Sequence, residues 1–313
     1  MKYIQDFKEN DNIIGHYFCK QKQNMKTKGG KAYLSLKLQD KTGVIDAKVW
    51  ELNNDIQNFE EKDTIKIDGV VNIFQNSPQL RVTKIRKSKE GEYNQKDYIP
   101  VTDKDVDILY ENLLSLINSV ENIFVKTLLE NFFIKNEYIA KNIKTHSAAK
   151  SMHHGYMGGL IEHLVSVTNI CDFLSNNYKF VNRDILIAGA LLHDIGKVYE
   201  LNPFPDNDYT DIGEIMGHIV IGIELLTNEA SKIDNFPKEY LNHIKHLIIS
   251  HHGELEFGSP QKPKTIEAII LHCADNTDSK IKMYEEALEK ADPKVTYTNY
   301  HSYLKMHIRK PVN

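Results

Sequence analysis

Long apolar runs are missing from this 313-residue chain. None approaches the roughly 18 residues a membrane span requires, and the opening MKYIQDFKEN lacks the apolar stretch of a signal peptide. Cysteine is scarce too. Cys19, Cys171 and Cys273 are odd in number and far apart, which argues against a disulfide framework or a CxxC zinc site. Free, buried thiols in a reducing compartment are expected. These absences predict a cytoplasmic protein with no membrane partner. Neither an internal repeat nor a low-complexity tract is present, and 41% hydrophobic with 26% charged residues excludes a disordered or fibrous chain. Histidine is nearly absent from the front: only His16 precedes residue 146, whereas eleven of the fourteen fall between His146 and His272.

Charge is also unevenly spread. Residues 1–90 hold 17 Lys/Arg against 12 Asp/Glu, and the remainder 22 against 31. A basic front suits a polyanion-binding module, and an acidic back suits a domain whose carboxylates hold cations.

The spacing predicts five strands within residues 13–87, where IIGHYFCKQ, AYLSLKLQ, VIDAKVW, TIKIDGVVNIF and QLRVTKIR alternate apolar with polar residues. A polar insertion between the third and fourth, LNNDIQNFEEKD, is expected to hold one helical turn. Five strands in this arrangement match an OB-fold, a small Greek-key barrel that often binds single strands. Its first loop would be the basic stretch KQKQNMKTKGGK (20–31), with Lys26, Lys28 and Lys31 tracking a phosphate backbone. Tyr33, Trp50 and Phe74 either stack bases or fill the barrel, and Arg81 is placed to contact phosphate.

A polar connector at 91–104 follows, and then the period changes to 3.6. Apolar residues three or four apart predict an amphipathic helix from Asp105 to Ile134, capped by Thr102 or Asp103. Further helices are expected over roughly 137–150, 159–176, 183–197, 213–230, 238–250 and 265–289. The fold class is therefore multidomain: a small all-β barrel at 1–90, then an all-α domain at 105–313. The amphipathic 105–134 segment offers surface for self-association, so a homo-oligomer is expected.

Chemistry concentrates in GGLIEH (158–163), LLHDIGK (191–197), GH (217–218), SHHG (250–253) and HCAD (272–275). Imidazoles and carboxylates from facing helices of a bundle can converge on a divalent cation. Mixed His/Asp ligands suit manganese, iron, cobalt or zinc better than calcium or magnesium. On a helix, adjacent His193 and Asp194 would diverge by about 100° and address two neighbouring metals. His243, His246, His301 and His307 are expected at the surface or as caps, and His146 as structural. His272 is either a supporting neighbour or a bystander, and Asp278 with Lys280 reads as an exposed pair.

The order His … His-Asp … His … His … Asp, centred on LLHDIGK, resembles the HD-domain metal-dependent phosphohydrolases. With HHGYMGGLIEH (153–163), YTDIGEIMGHIVIG (209–222) and SHHGELEFGSPQKP (250–263), nearly the whole chain resembles the YhaM-type 3′-to-5′ exoribonucleases, also described as plasmid enhancer-binding factors. The resemblance implies an N-terminal OB-fold and an HD core at about 150–290. It makes His163, His193, Asp194 and Asp275 ligands of a first metal. Asp194 then bridges to a second, held also by His218 and His251. Catalysis falls to Asp194 with Lys197, the partner of the scissile phosphate, while His252, His153 and His154 touch metal or substrate. Two divalent ions, manganese foremost, and single-stranded RNA trimmed from its 3′ end are implied. DNA is the other candidate polymer. Competing readings are a phosphohydrolase of free or cyclic nucleotides and a DNA-binding replication factor.

Overall fold

The alternating segments build strands β1 (Asn12–Lys26), β2 (Ala32–Asp40), β3 (Gly43–Val49), β4 (Thr64–Phe74) and β5 (Ser77–Lys87). In this computed structural model they close a barrel in the order β1-β2-β3-β5-β4. Every pairing is antiparallel except β3 with β5. This is the OB-fold order. Alternate residues such as Leu34, Leu36 and Leu38 on β2, and Ile65, Ile67 and Val71 on β4, point inward to form its core. The structure describes all residues except Met1, Asn76, Gln95, Lys96, 151–153, Pro205, Lys290 and Asn313. The chain divides into two compact units, Met1–Val101 and Thr102–Asn313.

Two local expectations for the barrel do not hold. The basic stretch is mostly strand, because β1 runs on past a bulge at Cys19/Gln21 to Lys26. Only a tight turn remains, closed by the Thr27 N–H on the Lys31 carbonyl and the Gly30 N–H on the Thr27 carbonyl. The insertion forms no helical turn either. It is laid along β5 by an Ile56–Ile85 bridge, with Phe59 buried in the barrel core, so strand pairing and burial outcompete a short helix. The connector is ordered where Asp97 accepts from the Lys41 N–H and Tyr98 and Ile99 are buried.

The second unit is helical. Its elements are α1 (Val106–Asn118), α2 (Ile123–Glu130), a π turn (Asn131–Lys135), α3 (Glu137–Asn142), α4 (Gly159–Ser175) and α5 (Arg183–Leu192). Then come α6 (Lys197–Glu200), α7 (Asp211–Ser231), α8 (Lys238–Ser250) and α9 (Ile266–Glu289). The expected single helix over 105–134 is broken. The Asn122 side chain accepts from the Phe124 and Val125 N–H groups and starts α2, while Asp184 takes the Glu121 and Asn122 N–H groups. Asp105, rather than Thr102 or Asp103, caps α1. The 137–150 helix stops at Asn142.

At the centre lies α5, whose residues Ile185–Leu192 are all buried. A helix apolar all round belongs in a core, and α4, α8 and α9 pack on it. Cys19 and Cys171 are buried as expected, but Cys273 is exposed on α9. No helix among the described residues is long and apolar enough to cross a membrane.

Candidate metal centre

The helix that carries LLHDIGK ends early. It stops at Leu192, and residues 193–196 form a turn before α6. His193 keeps helical backbone at the end of α5, and with Asp194 in the turn both side chains face inward. Both are buried, at 0% and 2% exposure. Gly196 makes this turn possible: a Cβ there would sit 2.0 Å from the His218 carbonyl oxygen. Lacking one, the turn presses against α7.

That helix has its own break. Gly217 takes φ 69°, ψ 160° within α7, a region essentially reserved for glycine. The kink aims the His218 N–H at Glu200 Oε1, 2.9 Å away, and places His218 Nδ1 3.0 Å from the same oxygen. His218 thereby presents Nε2 to the centre.

Each remaining imidazole is held in the same way. His193 Nδ1 donates to the Ala190 carbonyl at 2.8 Å, and His251, just past α8, to the Ile248 carbonyl at 2.7 Å. His163, on α4, donates from Nδ1 to Asp278 Oδ2 at 2.8 Å. Occupied Nδ1 atoms leave Nε2 lone pairs facing in, the tautomer a metal requires.

Asp194 sits between two groups. Its Oδ2 lies 3.5 Å from His163 Nε2 and 3.4 Å from His193 Nε2. Asp275, on α9, approaches His163 Nε2 at 3.3 Å. The other oxygen, Oδ1, is 3.5 Å from His218 Nε2 and 3.7 Å from His251 Nε2. Donor atoms sharing one ion at bonds of roughly 2.0–2.2 Å lie roughly 2.8–3.8 Å apart for angles of about 90–120°, so both groups have the spacing of coordination spheres. The second test is polar satisfaction. Asp194 Oδ1, His218 Nε2 and His251 Nε2 are buried with no hydrogen-bond partner among the described residues. Three such atoms converging would be costly unless a cation satisfied them. The donor set fits a pair of divalent ions.

Electrostatics agree with that reading. Burial works against the Asp194 charge, yet Lys197 and the surrounding imidazoles hold its carboxyl well below the usual range. His251 is pushed well below its ordinary value by burial and by the neighbouring His252 and His193, so it stays neutral with its lone pair available. Asp275 is depressed against its burial, chiefly by His163.

The other expected residues fall as follows. Lys197 Nζ is 2.6 Å from Asp194 Oδ2 and only partly exposed. His252 stacks edge-on to His251 with ring centroids 4.2 Å apart and lies 5.4 Å from His218, and its ligand atom joins theirs in one group. His154 stands behind His163, with Nε2 3.0 Å from Asp278 and Nδ1 3.0 Å from the Tyr156 hydroxyl. His153 lies outside the described residues. His272 donates from Nδ1 to the His251 carbonyl at 2.8 Å, a supporting neighbour.

Asp278 corrects the sequence reading. It is no exposed pair with Lys280: at 11% side-chain exposure it takes His163, His154 and Ser166. Glu200 was missed as well. The available signal was spacing, since Asp278 follows Asp275 by one helical turn and Glu200 follows Lys197 by the same interval.

In the barrel, Tyr33 and Trp50 stack at 4.6 Å on the outer face, with Lys48 Nζ 5.9 Å from the Tyr33 ring. Phe74 is exposed at the end of β4; Lys26 at the end of β1, Lys28 and Lys31 in the turn after it and Arg81 on β5 are exposed too. None of the three aromatics belongs to the barrel core.

A bundle in which this order of histidines and aspartates meets around a shared carboxylate is that of an HD domain. The HD-domain family model matches residues 160–280, and that of the OB-fold nucleic acid binding domain matches 20–87. Relatives match across both units. The chain is 34% identical over 281 residues to the 3′-5′ exoribonuclease YhaM of Oceanobacillus iheyensis, covering 89% of this chain and 87% of that one. It is 35% identical to YhaM of Bacillus velezensis and 34% to that of Bacillus subtilis, each over 266 residues, 84% of this chain and 83% of theirs. The chain belongs to the YhaM 3′-5′ exoribonuclease family.

Proposed function

We propose that the protein is a metal-dependent 3′-5′ exoribonuclease that trims RNA by hydrolysing its terminal phosphodiester at the His/Asp centre. The observation that carries this is the division of Asp194: one oxygen faces His163 and His193, the other His218 and His251. Kinship with YhaM enzymes over most of the chain supplies the substrate.

The first ion is assigned to His163, His193, Asp194 and Asp275. The second is assigned to Asp194, His218 and His251, with His252 as the added donor. Manganese is the expected metal, with cobalt, iron and zinc within range of the donor set. Bound there, such cations make water acidic enough to attack phosphorus and neutralise the phosphoryl oxygens. The protein's own groups do the rest. Lys197 offers its ammonium to the phosphate from beside Asp194. Asp278 and Glu200 hold His163 and His218 in position.

The barrel is assigned the upstream strand, with Tyr33, Trp50 and Phe74 as stacking groups and Lys26, Lys28, Lys31 and Arg81 for phosphates. Self-association is assigned to the 105–134 segment, where Ile108, Ile123 and Ile134 are exposed.

The decisive experiment incubates a 3′-hydroxyl oligoribonucleotide with the manganese-loaded protein. Mononucleotides are expected, and Asp194→Ala abolishes their release. Intact RNA with metal occupancy verified would sink the activity.

A further inference from the structure

The segment after the two histidines, GELEFGSPQKP (253–263), supplies no metal ligand of its own, yet it is tightly braced. Leu255–Phe257 form a 3-10 turn, and Gly258 closes it at φ 83°. The Ser259 N–H donates to the Glu254 carbonyl, and the buried Ser259 hydroxyl reaches the carbonyls of Ile249 and Gln261. Lys262 pairs with Glu254 at 2.5 Å. A loop so braced is a fixed platform.

What it displays is apolar. Phe257 is 65% exposed and Leu255 60%. Large apolar groups held in solvent by a rigid loop have a reason to be there when they border a polar site. This loop borders one directly: the Phe257 carbonyl is 3.0 Å from His252 Nδ1, and the His252 ring in turn touches His251 and His218. Ile215, three residues before His218 on α7, is 76% exposed. A polar, cation-holding centre flanked by an exposed aromatic has the layout that one nucleotide needs, phosphate at the cations and base on the ring.

The geometry points to Phe257 as the stacking platform for the base of the RNA's 3′-terminal nucleotide. Leu255 extends its apolar edge. The inference rests on the RNA hydrolysis proposed above. Stacking on a π-face is sequence-tolerant, so Phe257 positions every terminal nucleotide alike and sets KM more than kcat.

The test is a double cycle on the manganese-loaded, full-length protein. Wild type, Phe257→Ala and Phe257→Trp are assayed on an oligoribonucleotide with an intact or an abasic 3′-terminal residue, with metal content measured for each. Phe257→Ala is expected to raise KM roughly 10-fold or more on the intact substrate, to leave the abasic one unchanged, and to be rescued by Phe257→Trp. Equal effects on both substrates, no effect on either, or loss of metal in the alanine variant overturn the assignment, the last by making the loop a brace for His252. A penalty that follows an abasic penultimate residue overturns it too. Wild-type protein that holds metal but leaves RNA intact removes the hydrolytic reading itself, and the platform with it.

Discussion

His163 is oriented from behind by Asp278, which also takes His154 and Ser166. A side chain that fixes a ligand's ring acts on metal affinity without touching the metal. Asp278→Ala should weaken metal binding about 10- to 100-fold, the range for lost partners of ligating histidines, while the far-UV circular dichroism stays unchanged. Asp278→Asn, which keeps an acceptor, should recover part of it. Calorimetric metal titration of the purified variants checks both. In the barrel unit, Glu92 gives a test of surface electrostatics. Its bidentate pairing with Arg86, at 2.7 and 2.9 Å, with help from the Lys89 N–H, lowers its carboxyl from 4.5 to about 2. A depressed carboxyl stabilises the fold above its unfolded value and loses that contribution as pH falls through its folded one. Carboxyl carbon shifts of Glu92 should therefore titrate near pH 2, and in Arg86→Ala move up toward 4.5, short of it by what the Lys89 N–H still contributes. The pair is exposed, so the accompanying change in stability is small.

Among the elements, the kink in α7 matters most to the centre. Without it, a straight helix would carry the His218 N–H to a carbonyl four residues back instead of to Glu200. Gly217→Ala forces a side chain into a backbone region that costs on the order of 1–3 kcal/mol. The strain can be relieved by straightening the helix, which rotates His218 away. Gly217→Ala should bind one metal per chain in place of two, with a thermal midpoint lowered by several degrees, read by elemental analysis and calorimetry. The helix itself was legible from its apolar spacing. The kink was not, because glycine in a helical pattern signals only reduced propensity. Similarly, LLHDIGK reads as continuous helix, and only the approach of α7 to Gly196 explains the turn. The break between α1 and α2 came from Asn122 and Asp184, whose hydrogen bonds join segments 62 residues apart.

At the scale of the whole molecule, the described residues form two separate hydrophobic cores, one inside the barrel and one around α5. All the proposed metal ligands sit in the helical unit. A ligand that binds the folded state stabilises only the unit that forms its site, by about 2.7 kcal/mol per site at one hundred times Kd. Scanning calorimetry should resolve two transitions. Chelation should lower only that of the helical unit, leaving the barrel transition in place. A single transition shifted as a whole would contradict independent cores.

The sequence alone determined the barrel-then-bundle order, the histidine-rich half and many of the clustered side chains, though not Asp278 or Glu200. Period-two and period-3.6 patterns are local, and so are short motifs such as LLHDIGK. Tertiary structure decided which Asp194 oxygen meets which imidazole, that Asp278 serves His163 across 115 residues, and that the kink in α7 brings the His218 N–H to Glu200. Such pairings depend on the angles at which helices cross and turns close. Those angles are set by packing between distant segments, and no window of neighbouring residues contains them.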